Sequence, residues 1–309
     1  MSALHHVDDH NNITSIVLTG FPDLKCFTFL FFSVLLFIYC VTITGNLFII
    51  VLFVLSNILH SPMYFFISQL SLFDIILSTD ILPNLLHIIL HDGCTMSLTG
   101  CISQFFFFAH AEFSECFLLT LMSYDRYLAI CKPLHYNSLM NPSICIKSLI
   151  IIWLLGLKMT LVDTISLFSL HYCGPNIIDH FFCDFEPILE LSCSDTLFIQ
   201  NQTLVIGFLC VIVPFILIVL SYFYISVTIL KIQSITGRQK AFRTCSSHLT
   251  AVCIFYGTLT AVYLFPTKGE LSILSKVLSL FYTVITPFLN PIIYTFRNKD
   301  FKKAIEKTI

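Results

Sequence analysis

Long apolar segments alternate with short polar links along most of the chain. The segments run over approximately residues 27–55, 62–90, 98–131, 143–166, 200–233, 241–265 and 273–296. A stretch of about 20 apolar residues is long enough to cross the hydrocarbon core of a bilayer as a helix. The pattern therefore predicts an all-α membrane protein, with a seven-transmembrane helix bundle over residues 27–297 and a polar tail over residues 1–26.

The third segment ends abruptly in Tyr124-Asp125-Arg126-Tyr127. An arginine stays charged in a protein, so Arg126 needs a counter-ion, and Asp125 is the nearest one. Cys101 lies about 25 residues upstream, which is about 37 Å along a helix. We therefore expect one helix with a thiol at one membrane face and an ion pair at the other. The alternative is an ion pair that caps a buried helix of a soluble protein.

The last residues, 298–309, have the pattern of a short amphipathic eighth helix that lies on the membrane. Phe301, Ala304 and Ile305 share one side of it. The lysines fall elsewhere, at Lys299, Lys302, Lys303 and Lys307. A frayed basic tail is the alternative.

Composition supports a membrane protein. Hydrophobic residues make up 57% of the 309 residues and charged residues 11%, whereas a soluble domain is about 25% charged. The net charge of -2 gives no indication of a nucleic-acid partner. The first residues lack a basic region ahead of a short apolar run, so we expect no signal peptide. The 13 cysteines are too many to form one disulfide framework.

The distribution of charge predicts the orientation. If the N-terminus lies outside, most lysines and arginines fall inside, as the positive-inside rule requires. The exceptions are Lys25, Lys158, Lys268 and Lys276. We therefore expect a multi-pass protein with an extracellular N-terminal tail and a cytoplasmic C-terminus. Asn12-Ile13-Thr14 in the tail would then be a glycosylation acceptor.

The longest outer connection, about 167–199, carries Cys173, Cys183 and Cys193 at equal spacing. Disulfides persist on the oxidising side of a membrane. Cys101, at the outer end of the third helix, is a natural partner for one of them. Such a bridge would fold the loop over the bundle as a lid, but spacing alone does not choose the partner.

Several polar residues lie inside the apolar segments, where ionisable groups are costly and often functional. We expect one interior polar cluster of Asn46, Asp74, Glu115 and Asn290. Its two carboxyl groups suggest a shared proton or a bound cation such as sodium, and we expect no other cofactor. A structural hydrogen-bond network is the alternative.

Pro291 should bend the seventh helix beside Asn290, because it removes a backbone hydrogen bond. Tyr294 lies one turn further in, and Tyr222 on the fifth helix has a comparable depth. We expect both tyrosines to move with Arg126 at the inner end of the bundle. The alternative is that they anchor the helices at the membrane interface.

Together these residues resemble the rhodopsin-like G-protein-coupled receptors. The resemblance rests on Gly45-Asn46, Asp74, Cys101, Asp125-Arg126-Tyr127, Trp153, Tyr222 and Asn290-Pro291-x-x-Tyr294. Within that superfamily the chain looks like an odorant receptor. The motifs are LHSPMYFF at residues 59–66, MSYDRYLAICKPLHY at 122–136, HFFCD at 180–184, KAFRTCSSHL at 240–249 and PFLNPIIY at 287–294. Phe255-Tyr256-Gly257 replaces the Trp-x-Pro of most rhodopsin-like receptors, which is itself typical of odorant receptors.

The resemblance implies two disulfides, Cys101–Cys183 and Cys173–Cys193, and glycosylation at Asn12. A second acceptor pattern at Asn201 lies too close to the membrane for us to expect its use. The resemblance also implies a small-molecule odorant and a stimulatory olfactory-type G protein that raises cyclic AMP. Coupling would involve Asp125, Arg126 and Tyr127. The expected location is the plasma membrane of olfactory sensory neuron cilia.

Helical phase places a candidate ligand pocket in the outer half of the bundle. Its residues are Phe105, Phe108, Ala109, Glu112 and Phe113 on the third helix, Ile206 and Cys210 on the fifth, Tyr256, Leu259 and Tyr263 on the sixth, and Thr283 on the seventh. Each Phe has ordinary packing as its alternative role. Odorant receptors usually have a small residue at the level of Glu112. We therefore expect Glu112 to orient a ligand's amine or hydroxyl, with a protonated acid bonded inside the bundle as the alternative.

Three other classes of protein fit the sequence less well. A channel or secondary transporter predicts internal repeats and paired broken helices, and the sequence has neither. A membrane enzyme would need clustered ionisable residues at an interface, and His5, His6 and His10 lack metal-like partners. A receptor for a peptide or amine is closer, but the odorant-type motifs argue against it. We therefore expect no enzymatic activity.

Overall fold

The computed structural model describes residues 13–21, 27–264, 272–297 and 299–308. Within these ranges, seven helices are long and apolar enough to cross a membrane, which confirms the predicted bundle. They are α1 (Thr28–Leu55), α2 (Pro62–His91), α3 (Leu98–Cys131), α4 (Pro142–Phe168), α5 (Leu197–Lys231), α6 (Ile235–Leu264) and α7, which is continuous over Ser272–Leu280, Phe281–Ile285 and Thr286–Arg297. A final helix, α8, spans Lys299–Thr308.

Local sequence signals set several helix ends. Pro62 and Pro142 stand at the first position of α2 and α4, where a missing N–H costs nothing. Ser97 Oγ accepts a hydrogen bond from the Gly100 N–H at 3.0 Å and so caps α3. Asn141 Oδ1 caps α4 by accepting from the Ile144 N–H at 3.0 Å.

The helices differ in how much of their surface the protein covers. The 34-residue helix α3 is the most buried, and it packs against α2, α4, α5 and α6. By contrast α1, α4 and α5 leave large apolar side chains open, such as Phe29, Leu154 and Phe223. Exposed apolar faces on spanning helices are the surfaces that lipid chains cover.

Two helices contain a wide π turn, at Phe208–Ile212 in α5 and at Phe281–Ile285 in α7. Such turns are frequent at functional sites. Pro291 follows in α7 and lies against α1, where a Cβ on Gly45 would meet the proline ring at 3.2 Å. Glycine at this position therefore allows the two helices to approach each other closely.

A small three-stranded sheet covers one end of the bundle, which we call the sheet end; the opposite end is the Arg126 end. The central strand β1 (Ser15–Leu18) runs antiparallel to β2 (Cys94–Ser97) and parallel to β3 (Ile177–Ile178). Ile16 and Leu18 are fully buried beneath it. The sequence predicts a polar tail over residues 1–26 and no strand within it, so β1 is a feature that the structure adds.

Helix α8 packs against the Arg126 end of the bundle. Its apolar residues Phe301 and Ala304 are fully buried, and the Phe301 ring lies 5.4 Å from that of Tyr64. The Tyr64 hydroxyl also donates to Asp300 Oδ2 at 2.9 Å. The predicted amphipathic pattern is therefore present, with Phe301 and Ala304 covered by protein.

Candidate functional site

The loop of residues 169–196, between α4 and α5, is fixed to the sheet end by covalent and polar contacts. The structure joins Cys101 to Cys183 and Cys173 to Cys193, with Cα atoms 5.4 and 5.9 Å apart. These are the two pairs that the family resemblance implies. Gln104 adds a further contact, because its Oε1 accepts from the Cys183 N–H at 3.0 Å while its Nε2 donates to the Asp80 carbonyl oxygen at 3.0 Å.

Aromatic side chains from this loop lie against α3. The Phe182 ring is 5.1 Å from that of Phe108, and the Phe185 ring is 5.8 Å from that of Phe105. On its other side the Phe108 ring lies 6.0 Å from that of Tyr282 in α7. The loop, α3 and α7 therefore share an aromatic wall at the sheet end.

The predicted pocket residues are mostly buried around this wall. The buried members are Phe105, Phe108, Ala109, Glu112, Ile206, Cys210, Tyr256, Leu259 and Thr283. Phe113 is partly buried and packs against the core. Thr283 donates to the Ser279 carbonyl oxygen of its own helix at 2.7 Å. The side chain of Tyr263 lies outside the described residues, as does Asn12.

Glu112 is 4% exposed, and no described residue donates a hydrogen bond to its carboxyl group. It lies near the Cys210 thiol of α5 and near the Tyr256 hydroxyl of α6, which contacts the Cys116 thiol of α3. The charged groups that act on Glu112 are Asp184 and Glu115, both acidic. Among the residues that the structure describes, no cation therefore acts on this buried carboxyl group.

Asp184 begins the short helix Phe185–Leu189 of the loop, and its Oδ1 accepts from the Phe185 N–H at 2.7 Å. Burial, with a smaller contribution from Glu186, raises its pKa to about 6. Nearby, burial and the Lys276 charge lower the pKa of His180 to about 3, so this imidazole is neutral near pH 7. Of these two loop residues, Asp184 has the pKa closer to neutral pH.

Deeper in the bundle, Asp74 and Asn290 are in direct contact. The Asn290 Nδ2 group lies 3.1 Å from both carboxyl oxygens of Asp74. Asn46 donates instead to the Thr42 and Pro287 carbonyl oxygens, at 3.0 and 3.3 Å, and its Oδ1 has no partner among the described groups. Glu115 acts on Asp74 electrostatically. All four predicted residues are buried, and direct hydrogen bonding joins two of them.

At the Arg126 end, Asp125 holds two partners. Arg126 donates to Asp125 Oδ2 through its Nε at 2.9 Å and also through Nη2. The Tyr136 hydroxyl donates to Asp125 Oδ1 at 2.8 Å. Asp125 is fully buried, so these bonds offset the cost of burying its charge. Tyr127 points elsewhere, with its ring 6.2 Å from those of Tyr124 and Tyr224.

Tyr222 joins α5 to α6. Its hydroxyl lies 2.7 Å from His248 Nδ1, and the two rings stack with centroids 5.8 Å apart. Tyr294 on α7 is buried, and its hydroxyl has no hydrogen-bond partner among the described groups. Arg126 acts electrostatically on both tyrosines. The predicted inner residues therefore lie close together around Arg126.

Three of these contacts are not predicted from the sequence. Tyr136 and His248 lie within family motifs that predict no role for either residue, and Lys276 is expected only as a basic residue near the outer side. In the structure Lys276 is 1% exposed and bonded to Asp179. A lysine within an apolar segment was the available signal for the last contact.

A surface groove of about 580 Å³ lies elsewhere, between α3, α4 and α5. Phe117, Tyr124, Ile151 and Tyr224 are among its lining residues. None of the predicted pocket residues lines it. It therefore belongs to the apolar outer surface and not to the predicted ligand site.

The fold and its two ends define a class of protein. Seven spanning helices, a disulfide-anchored loop at one end of α3 and an aspartate–arginine pair at the other are the features of a seven-helix receptor. A family model described as "Olfactory receptor" matches residues 35–309. The chain belongs to the olfactory receptor family.

Individual olfactory receptors are also similar to the chain over nearly its whole length. Olfactory receptor 10A7 of Homo sapiens is 43% identical over 305 residues, covering 98% of this chain and 96% of the relative. Olfactory receptor 5G25 of Mus musculus is 45% identical over 296 residues, covering 96% and 93%. Olfactory receptor 1468 of Rattus norvegicus is 40% identical over 297 residues, covering 96% and 95%. The chain is thus a multi-pass membrane receptor for odorants that acts through a G protein, and it is not an enzyme.

Proposed function

We propose that this receptor binds a small, mostly apolar odorant at the sheet end and activates a stimulatory olfactory-type G protein at the Arg126 end, raising cyclic AMP. The observation that carries the proposal is the course of α3. This one buried helix bears Phe105, Phe108 and Glu112 beneath the disulfide-anchored loop, and Arg126 at its far end. A change in its packing at one end therefore reaches the other.

The proposed site lies between α3, α5, α6 and α7. Its walls are aromatic and aliphatic, with few polar groups, which suits a small apolar ligand. The proposed ligand contacts are Phe105, Phe108, Ala109, Glu112, Phe113, Ile206, Cys210, Tyr256, Leu259, Tyr263 and Thr283. Glu112 orients the polar end of the ligand, because its carboxyl group is buried without a described hydrogen-bond donor.

Activation is a ligand-driven shift between two arrangements of the bundle. The structure has Arg126 paired with Asp125 and tied to Tyr136 through it, so we assign this arrangement to the resting receptor. The proposed switch comprises Asp125, Arg126, Tyr127, Tyr222, Asn290, Pro291 and Tyr294. In the active arrangement Arg126 leaves Asp125 and contacts the G protein.

The proposed orientation places the sheet end outside. Both disulfides lie at that end, and disulfides persist in an oxidising compartment. Lys132, Lys231 and Arg238 lie near the Arg126 end, as the positive-inside rule requires of a cytoplasmic face. The proposed location is the plasma membrane of sensory cilia, where lipid covers the apolar faces of α1, α4 and α5.

Asp74 and Glu115 form a proposed site for a shared proton or a sodium ion. Asp74 has Asn290 as its described hydrogen-bond donor, and the buried Asn46 Oδ1 and Ser78 Oγ atoms have no described partner. Oxygen donors of this kind suit a hard cation or a proton. The test is the basal cyclic-AMP signal in sodium and in a sodium-free medium. An ion effect that persists in Asp74→Asn would count against this site.

The principal experiment is a cyclic-AMP assay in cells that express the chain with an olfactory-type G protein, screened against a mixed odorant panel. Arg126→Ala is expected to abolish the response at equal surface expression. Tyr124→Phe is the matched control, because Tyr124 lies on the same helix outside the proposed switch and its hydroxyl group forms no described hydrogen bond. A response that survives Arg126→Ala would overturn the proposed coupling mechanism.

A further inference from the structure

We infer that the preferred ligand is a lipophilic amine, whose ammonium group binds between Glu112 of α3 and Asp184 of the 169–196 loop. The inference rests on the proposed function, because it uses the same site beneath the loop. It goes further by selecting one chemical class of odorant over neutral ones.

The loop places Asp184 over the face of α3 that bears Phe105. Cys183 is bonded to Cys101, its N–H donates to Gln104, and the Phe185 ring contacts that of Phe105. Glu112 lies two helical turns further along from Phe105, about 10 Å away. Helical side chains lean towards the N-terminus of their helix, so the Glu112 side chain leans towards Asp184. Asp184 also acts electrostatically on Glu112, so the two carboxyl groups lie near each other beneath the loop.

Glu112 needs a cation that the described chain does not supply. The groups that act on it electrostatically are Asp184 and Glu115. Lys276, the buried lysine at the sheet end, already donates to Gly20 and Asp179. Burial without a cation disfavours the ionised form of a carboxyl group, and an ammonium ion from a ligand would stabilise that form. A neutral ligand would leave Glu112 as the protonated acid.

The other residues of the site suit both the ammonium group and the apolar body of an amine. Asp184 uses Oδ1 to accept from the Phe185 N–H, and it is charged at neutral pH because its pKa is about 6. Phe105, Phe108 and Phe182 supply ring faces that favour a cation and an apolar body. The Tyr256 hydroxyl, 4% exposed and in contact with the Cys116 thiol, adds a further acceptor for an N–H group.

The test compares probes that share one carbon skeleton. Octylamine, 1-octanol and octanoic acid, and the cyclohexylmethyl series of amine, alcohol and acid, are applied to cells that express the full receptor. We expect each amine to act at a concentration at least about tenfold below that of its alcohol, since a hydrogen bond to a charged group is the stronger kind. The acids should be weakest, because the site is acidic.

Variants then test whether the carboxyl groups of Glu112 and Asp184 cause the preference for amines. Glu112→Gln and Asp184→Asn keep side-chain shape and should each reduce the amine preference by about tenfold. Glu186→Gln is the matched control, because Glu186 is an exposed carboxylate two residues from Asp184. It should retain the preference. Surface expression is measured for every variant, and the probe series on the unmodified receptor needs no variant to fold.

The outcomes separate this inference from the proposed function. Alcohols that match or exceed the amines would overturn the amine inference while leaving an odorant receptor in place. An amine preference that persists in the Glu112→Gln, Asp184→Asn double variant would also overturn it. If neither these probes nor a mixed neutral odorant panel raises cyclic AMP in a receptor that shows basal coupling, both proposals fail.

Discussion

The ammonium group of Lys276 donates hydrogen bonds to the Gly20 carbonyl oxygen at 2.7 Å and to Asp179 Oδ1 at 2.5 Å. The same carboxyl oxygen accepts from the Thr19 hydroxyl at 2.8 Å. One buried lysine therefore joins α7 to the segment after β1 and to the loop after β3. These contacts close the sheet end above the proposed ligand site.

Lys276→Met should loosen the N-terminal strand. The variant keeps the length of the side chain but removes both hydrogen bonds, each of the charged kind that contributes about 1.5–3 kcal/mol when buried. Asp179 is largely exposed, so we expect the lower part of that range. Hydrogen exchange of residues 13–21 in the purified receptor should accelerate by about tenfold or more.

Lys158→Met is the control for that experiment. Lys158 is exposed on α4 and forms no described ion pair, so this variant changes the net charge equally without removing a contact. Equal exchange of residues 13–21 in wild type and Lys276→Met would mean that the sheet alone holds the strand.

The sequence predicts the helices well because each one carries its own signal. A run of apolar residues of spanning length needs no distant partner to be recognised, as Thr28–Leu55 and Pro142–Phe168 illustrate. Strand β1 carries no comparable signal. It has four residues, and its partners at Cys94–Ser97 and Ile177–Ile178 lie far away in the chain.

The contacts of the candidate site likewise differ in whether the sequence predicts them. Asp125 and Arg126 are neighbours in the chain, so their pairing follows from composition and the cost of burying charge. The contacts of Asp125 with Tyr136, and of Tyr222 with His248, depend on how loops and helices pack. Tyrosine and histidine are common at membrane interfaces and in cores, so neither residue type signals such a contact by itself.

Tyr136→Phe should raise basal signalling. The Tyr136 hydroxyl donates to Asp125 at 2.8 Å, and burial together with the Asp125 charge raises its pKa, so it stays a donor across the physiological range. Its loss removes about 1 kcal/mol from the resting arrangement. The ratio of active to resting receptor should rise about fivefold, measured as basal cyclic AMP per receptor at the surface.

Tyr124→Phe provides the comparison in α3, outside the proposed switch. Its ring contact with Tyr127 remains possible, and its hydroxyl group has no described hydrogen bond to lose. Basal cyclic AMP should match the wild type. A rise of equal size in both variants would show that any change near Asp125 activates the receptor, and would remove the specific role of Tyr136.

The two glycosylation patterns should behave differently. Asn201 lies within the first turns of α5, and the acceptor threonine, Thr203, donates its hydroxyl to Asp163 at 2.9 Å. This site is therefore at the edge of a spanning helix. Asn12→Gln should increase electrophoretic mobility and remove sensitivity to an N-glycosidase, whereas Asn201→Gln should change neither. A mobility change in Asn201→Gln would place this turn of α5 further from the membrane.

The response to an amine should weaken as the external pH falls through about 6. Asp184 has its pKa raised to about 6, so it is mostly charged at pH 7.5 and about three-quarters neutral at pH 5.5. An alkylamine stays protonated throughout this range. Because the charged form of Asp184 binds the ammonium group, the titration of Asp184 alone should raise the effective concentration of octylamine about fourfold between the two pH values.

Two comparisons test whether Asp184 is the group responsible for that pH dependence. Glu112, Glu115 and Glu186 are the other acidic groups that face this region, so a shift from any of them must be distinguished from one at Asp184. Asp184→Asn should respond weakly and without a step near pH 6, while Glu186→Gln should keep a step, moved slightly lower because Glu186 helps to raise the pKa of Asp184. The 1-octanol response should stay flat in the wild type. A step of unchanged size in Asp184→Asn would assign the titration to another group and would separate Asp184 from ligand binding.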